Sequence, residues 1–339
     1  MTNEQEKLAR EIFTVIKSAK RVLLHLHPHP DPDSVGSALA MSHVLRALGK
    51  EAVVIKGDSP MPEYLSFLPG YESIVPKNYL EIDPASFGLF LVLDVGAPER
   101  ISSLGQVTFP PTLKTILIDH HVTTKPFCQI NLVATNYPAT SQILYELFRL
   151  WEIKLTPASA TNLFFGIFGD TGGFRYPGTT AATFLAAAEL VKLAPDFPAL
   201  LFQLENNNSC GQLTYEGLAL SSIEVFGGGR VALVALSLEQ RAAHGLRYED
   251  TQGISIANRL KSVVGWEIGA TLTESEPEII RVSLRTRDAE RFDVSKLSAA
   301  LGGGGHRAAA GAVLKMPMPA AKKLFLQKLL EVYPELGEK

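Results

Sequence analysis

Aspartates and histidines close one apolar run after another in this chain. After Arg21–Leu26 it reads HLHPHPDPDSVGS (residues 25–37), with Asp31 and Asp33 two residues apart and histidines at 25, 27 and 29. Further on, LFLVLD ends in Asp94, TILIDHH in Asp119, His120 and His121, and the apolar LFFGIFGD in Asp170. Taken singly, each is a place where a chain surfaces, and Asp31 or Asp33 would also suit a helix N-cap. Several of them at the strand ends of one sheet would crowd carboxylates that repel one another, and such crowding implies bound cations. Carboxylate and imidazole donors without thiolates favour a hard or borderline ion, with Mn²⁺ ahead of Mg²⁺ or Zn²⁺. The prolines at 28, 30 and 32 predict an extended run. In it Asp31 and Asp33 share one face, about 6.6 Å apart, which suits one ligand for each of two ions. Spacing does not choose among His25, His27 and His29.

A second region has different chemistry. LGGGGHR (301–307) lacks the GK[ST] of a Walker A loop, but bare glycines let backbone approach a ligand closely and successive N–H groups can cradle an anion. Arg285, Arg287, His306 and Arg307 surround it in sequence and tilt the reading from a plain turn to phosphate.

These residues must be positioned by an α/β fold. Residues 4–20 carry a helical apolar stripe, 21–26 a strand, and 34–48 a helix stopped at Gly49. Further strands are expected at 52–55, 89–93 and 115–118, giving a mostly parallel sheet with covering helices, whose ligand sites lie beyond the strands' carboxyl ends. Residues 138–226 read as mainly helical, with a hinge-like ENNNSCG at 205–211. Strands at 231–236, 267–272 and 279–284, with helices at 237–244 and 293–301, make a smaller α/β unit. The domains are therefore expected at 1–190, with a helical linker at 191–226, and at 227–339.

The 339 residues, 46% hydrophobic and 20% charged, exclude a disordered chain. A formal charge of −3 argues against coating long duplex DNA. It divides into −6 for residues 1–226 and +3 for 227–339. Cys128 and Cys210 show no CxxC spacing, are expected as small buried side chains, and fit a reducing compartment. No window approaches the roughly 18 apolar residues of a membrane span. A cytoplasmic protein is expected, and the apolar helix at 181–191 is a candidate homodimer face.

His27, Pro30, Asp31, Asp33, Gly36 and Ser37, then Asp94, then Asp119-His120-His121, then GDTGGF at 169–174, in that order, resemble the DHH phosphoesterase superfamily. SLRTRD at 283–288 and GGGGHRAAAGA at 302–312 are similar to the substrate domain of its NrnA type, the bifunctional oligoribonucleases and pAp phosphatases. The likeness spans roughly residues 20–315. It implies that His27, Asp31 and Asp94 hold one metal ion, that Asp33, Asp94, His120 and Asp170 hold the other, and that Asp94 bridges. It makes Asp119 the carboxylate that fixes a neighbouring histidine's tautomer, and His121 the group facing the phosphate. It gives Arg285 and His306 to the substrate, in a cleft between the domains; the glycine reading adds Gly304 and Gly305, and Arg100 and Arg175 are further candidates to reach it. Pro32 stands where the family often has Gly, which takes a backbone N–H from that loop. The implied reaction is two-metal hydrolysis of short RNA oligonucleotides to nucleoside 5′-monophosphates and of the 3′-phosphate of pAp, by an acidified water and without a protein nucleophile. The nearest alternative is a cyclic dinucleotide or pApA phosphodiesterase. Pyrophosphatase, RecJ-like exonuclease, non-catalytic nucleotide sensor and oligomeric scaffold fit the residues less well.

Overall fold

The computed structural model describes residues 1–206, 208–251 and 253–337. It divides into two compact units, Met1–Asn207 and Asn208–Lys339. The first contains α1 (Asn3–Ser18), β1 (Arg21–His25), α2 (Pro32–Ala47), β2 (Glu51–Ile55), β3 (Leu89–Leu93), β4 (Lys114–Asp119), β5 (Ile130–Val133), α3 (Thr140–Leu150), α4 (Pro157–Asp170), α5 (Ala181–Leu193) and α6 (Phe197–Glu205). Its five strands run in the order β2-β1-β3-β4-β5, every pairing parallel. The expected parallel α/β sheet is therefore present, and β5 is an addition whose four residues are too short to give a clear period.

All five residues of β3 are buried, as in a strand covered on both faces. Alternate residues feed two cores. Val22, Leu24, Leu89, Leu91, Ile116 and Ile118 face the helices α2, α3 and α4, while Leu23, Phe90, Val92 and Leu117 face the cluster of Tyr79, Phe87 and Ile101. The order reverses between β1 and β3, a switch point where ligands bind in open α/β sheets.

Helix α2 is rich in small residues because it lies against α4. A Cβ on Gly36 would overlap the carbonyl oxygen of Asn162, and one on Gly166 would come 2.9 Å from Asp33 Oδ1. Pro32 fills the matching space on the other side, its Cβ 2.6 Å from where a Gly169 Cβ would stand. Pro32 is thus the first residue of the helix, where its fixed φ is suited and its missing N–H would have no helical partner. This corrects the expected extended run: Asp31 is the N-cap, and Asp33 lies in the first turn.

The second unit holds α7 (Cys210–Ser221), β6 (Ile223–Phe226), β7 (Val231–Leu236), α8 (Leu238–Ala242), α9 (Ile256–Lys261), β8 (Ile268–Glu276), β9 (Ile279–Thr286), α10 (Val294–Ala300), β10 (Gly304–His306), β11 (Ala309–Lys315) and α11 (Met318–Val332). Its sheet, β10-β11-β9-β8-β7-β6, is antiparallel except for β7 and β8. The stretch expected as a linker, 191–226, ends inside this unit, because β6 pairs with β7. Of the hinge-like 205–211, Asn207 lies outside the described residues. The glycine run is only partly a loop: β10 and β11 form a hairpin that small side chains gave no period to reveal. Cys128 is half-buried, and Cys210 is exposed, against expectation. Among the described residues no helix is long and apolar enough to cross a membrane.

Candidate metal centre

The expected ligands converge beyond the carboxyl ends of β1, β3 and β4. His27, Asp31 and Asp94 offer ligand atoms within 4.8 Å of one another, and so do Asp33, Asp94, His120 and Asp170. Asp94 belongs to both groups. It follows β3 at φ +61, a left-handed conformation that aspartate tolerates better than most residues. Its Oδ2 is 3.5 Å from His27 Nε2 and its Oδ1 is 3.4 Å from His120 Nε2.

Each side chain is held by its own element. Asp31 divides its oxygens: Oδ1 accepts from the amides of Asp33 and Ser34 at the start of α2, and Oδ2 lies 3.4 Å from His27 Nε2. Asp33 is fully buried, and both its oxygens accept backbone amides from the start of α3, Thr140 at 2.6 Å and Ser141 at 2.9 Å. His120 Nε2 is 3.1 Å from Asp170 Oδ2 at the end of α4. His27 Nδ1 donates to the Pro28 carbonyl at 3.0 Å, which turns Nε2 toward the carboxylates of Asp31 and Asp94. A ring nitrogen in that position needs a proton or another cation between itself and the carboxylates. His120 Nε2 is likewise turned toward two carboxylates, Asp94 and Asp170. The donor set, with two imidazole nitrogens each turned toward a pair of carboxylates, fits divalent ions.

The titration of these groups shows the same excess of negative charge. Burial alone would lower the histidines, but hydrogen bonds to Asp31 and Asp94 raise His27 to about 10, and those to Asp170 and Asp94 raise His120 to about 11. Burial and the neighbouring carboxylates of Asp94 and Asp170 push Asp33 well up. Asp170 rises to about 6 through burial, with Asp94 and Asp31 adding to it. Burial opposes ionisation of Asp94, yet hydrogen bonds to His120 and His27 hold it below the usual carboxylate range. Protons therefore occupy the imidazoles until another cation displaces them. Mn²⁺ binding at pH 7.5 should release about two protons per molecule, and affinity should fall as pH drops from 8 to 6. Calorimetry in buffers of different ionisation enthalpy reads the release, and heats independent of buffer would contradict it.

His121 stands beside the ligands. Its Nδ1 is 2.8 Å from Asp119 Oδ1, while Asp119 also accepts from Thr124 Oγ1. Asp119 is fully buried as the last residue of β4, so the half-buried imidazole presents Nε2 outward. His25 is set apart: it is buried against Phe90, and burial lowers it to about 4. His29 lies on the loop with its amide bonded to Ser59.

Of the expected substrate residues, Arg100 and Arg175 lie in the first unit and Arg285, Gly304, Gly305 and His306 in the second. Arg285 and His306 both pair with Ala309, in β9 and β10 on either side of β11, so they share one cross-strand row. On the same face Arg281, Ser283 and Arg285 line a hollow of about 700 Å³ in the second unit, with Tyr215, Tyr248 and Thr273 on its wall. Gly304 and Gly305 are exposed beside it on β10. Arg307 is taken up by Glu290 and Asp293, and Arg287 caps the carbonyls that end α9. Arg175 bonds to the Gly172 carbonyl, and Arg100 is exposed on the loop after β3.

The description "DHH family, N-terminal domain" matches residues 21–167, and the DHHA1 domain matches 234–334. A Thermus thermophilus protein named as a bifunctional oligoribonuclease and PAP phosphatase is 31% identical over 92% of this chain and 89% of its own. This chain is a member of the DHH family. A Bacillus subtilis protein of the same name is 26% identical over 89% of this chain and 92% of its own. A crystal structure of an exopolyphosphatase-related protein from Bacteroides fragilis superposes on the DHH protein with a TM-score of 0.88, at 25% identity over 98% of each chain.

Sequence reading missed the residues that hold the ligands. Thr140 and Ser141 grip Asp33 from 107 and 108 residues away. Thr124 holds Asp119 from five residues away. The only local signal was the pattern of small hydroxyl residues, at the start of α3 and just after the three-residue motif.

Proposed function

We propose that this DHH protein is a dinuclear metal-dependent phosphoesterase that hydrolyses short RNA oligonucleotides to nucleoside 5′-monophosphates and removes the 3′-phosphate of pAp. The observation that carries the reading is Asp94, one buried carboxylate shared by two groups of carboxylate and imidazole donors. His27, Asp31 and Asp94 would hold one ion, and Asp33, Asp94, His120 and Asp170 the other, with Mn²⁺ the first candidate and Mg²⁺ the second. When bound, two such ions supply charge against phosphoryl oxygens and make water a better nucleophile near neutral pH. Among the described residues no side-chain nucleophile is needed. His121, oriented through Nδ1 by Asp119, presents Nε2 to the phosphate and gives a proton to the leaving oxygen. Arg285, His306 and Arg100 bind the anionic substrate, and the exposed amides of Gly304 and Gly305 assist. In this reading residues 1–190 carry the metal chemistry and 227–339 the substrate-binding charge. The names of the two relatives support the substrate class. Two unpaired cysteines suit the cytoplasm, and Phe184 and Leu185, exposed on α5, offer a face for a homodimer.

The test supplies Mn²⁺ with a labelled dinucleotide, pAp, pApA, a cyclic dinucleotide and a long RNA, each alone. Rapid conversion of the dinucleotide and pAp, stopped by a chelator, is the expected result. Faster attack on the long strand or the cyclic dinucleotide, or turnover indifferent to chelation, would refute the reading.

A further inference from the structure

We infer that the Thr140 hydroxyl is a positioning group for Asp94 and sets how tightly the second ion is held, an inference that rests on the metal reading above. Thr140 is fully buried at the first turn of α3 and donates to two carboxylates at once. Its amide reaches Asp33 Oδ2 at 2.6 Å, and its hydroxyl reaches Asp94 Oδ1 at 3.1 Å. The residue before it, Ala139, gives α3 no side-chain cap. Asp33 fills that role from α2, so the start of α3 is tied to the ligand group by the bonds that satisfy its own amides.

The hydroxyl has a separate task. Asp94 must present Oδ1 toward His120 and Oδ2 toward His27. Rotation of its terminal torsion is soft in a carboxylate, and its left-handed backbone places the carboxyl between the two groups without fixing its plane. A hydrogen bond to Oδ1 from a buried hydroxyl fixes that plane before any ion arrives and leaves Oδ1 a second lone pair. Partners outside the ligand shell usually tune affinity in this way, by about 10- to 100-fold. Oδ1 belongs to the group with Asp33, His120 and Asp170, so that group depends on Thr140 more than the group around His27 does.

The experiment titrates Mn²⁺ into the full-length metal-free protein and follows free Mn²⁺ by electron paramagnetic resonance, which reads stoichiometry and affinity without turnover. Thr140→Val keeps the amide and the volume and removes the hydroxyl. One of the two dissociation constants should rise roughly tenfold, the other should change by less, and Thr140→Ser should restore the wild-type isotherm. Should valine not be accommodated, as far-ultraviolet circular dichroism would show, Thr140→Ala makes the same deletion. A hydroxyl-free variant that binds both ions like wild type overturns the proposal and leaves the metal reading standing. A wild-type protein that binds no Mn²⁺ overturns both.

Discussion

Asp94→Asn should lose Mn²⁺-dependent turnover of a labelled dinucleotide by at least about 10³-fold in kcat/KM, roughly 4 kcal/mol of transition-state stabilisation. Asparagine is the informative replacement because it tolerates the left-handed backbone that Asp94 adopts at φ +61. It also keeps the shape of a side chain that is 3% exposed. What it removes is one negative charge and the ability of two oxygens to face two imidazoles, His27 at 3.5 Å and His120 at 3.4 Å. Replacing any other candidate ligand strips one group alone, whereas this substitution weakens both. The far-ultraviolet circular dichroism spectrum should not change, since the apolar clusters on the two faces of the sheet do not use the carboxylate. Turnover retained to within tenfold of wild type would remove the shared carboxylate from the mechanism.

The second large effect is on stability. Gly36→Ala should destabilise the protein by about 2–3 kcal/mol, near the upper end for overpacking, because the new methyl would meet a backbone carbonyl that cannot rotate away. That carbonyl belongs to Asn162 in α4, so the two helices would have to separate. For a unit of this size the shift in Tm would be roughly 5–10 °C. The separation also reaches the candidate metal centre, since Asp33 lies in the first turn of α2 and Asp170 closes α4. Mn²⁺ affinity should therefore fall in the same variant. Gly217→Ala supplies the opposite control. That glycine lies within α7 with nothing within 4 Å of an added Cβ, and alanine there should leave Tm unchanged or raise it, by up to about 1 kcal/mol in stability. A thermal melt of both variants decides the matter: equal stabilities would mean that α2 and α4 do not need the glycine.

Much of the candidate metal centre was legible because its chemistry is carried by residue type. Aspartates and histidines at the ends of apolar runs must lie at one edge of a parallel sheet, and charge repulsion then calls for cations. The shape of the first loop was not legible. Three prolines in seven residues predict extension, yet Pro32 begins α2 because it can pack against Gly169. The N-cap and ligand readings of Asp31 compete in the sequence, but the N-cap uses Oδ1 alone and leaves Oδ2 facing His27. In the second unit the arginines illustrate the same limit. Arg285, Arg287 and Arg307 are equivalent as charges, but register puts Arg285 in line with His306, while Arg287 bonds the carbonyls that end α9 and Arg307 bonds Glu290.

By itself the sequence determined which atoms could bind a cation and, through the apolar periods, that they would collect beyond the carboxyl ends of β1, β3 and β4. Only the tertiary structure decided which lone pairs remain for that purpose. The carbonyl of Pro28 orients His27, the start of α3 holds Asp33, and Thr140 holds Asp94. Residue type and spacing are local properties, whereas the direction of the carboxylates of Asp33 and Asp94 depends on hydrogen bonds closed across 107 and 46 residues, which exist only once the start of α3 has packed beside α2 and β3.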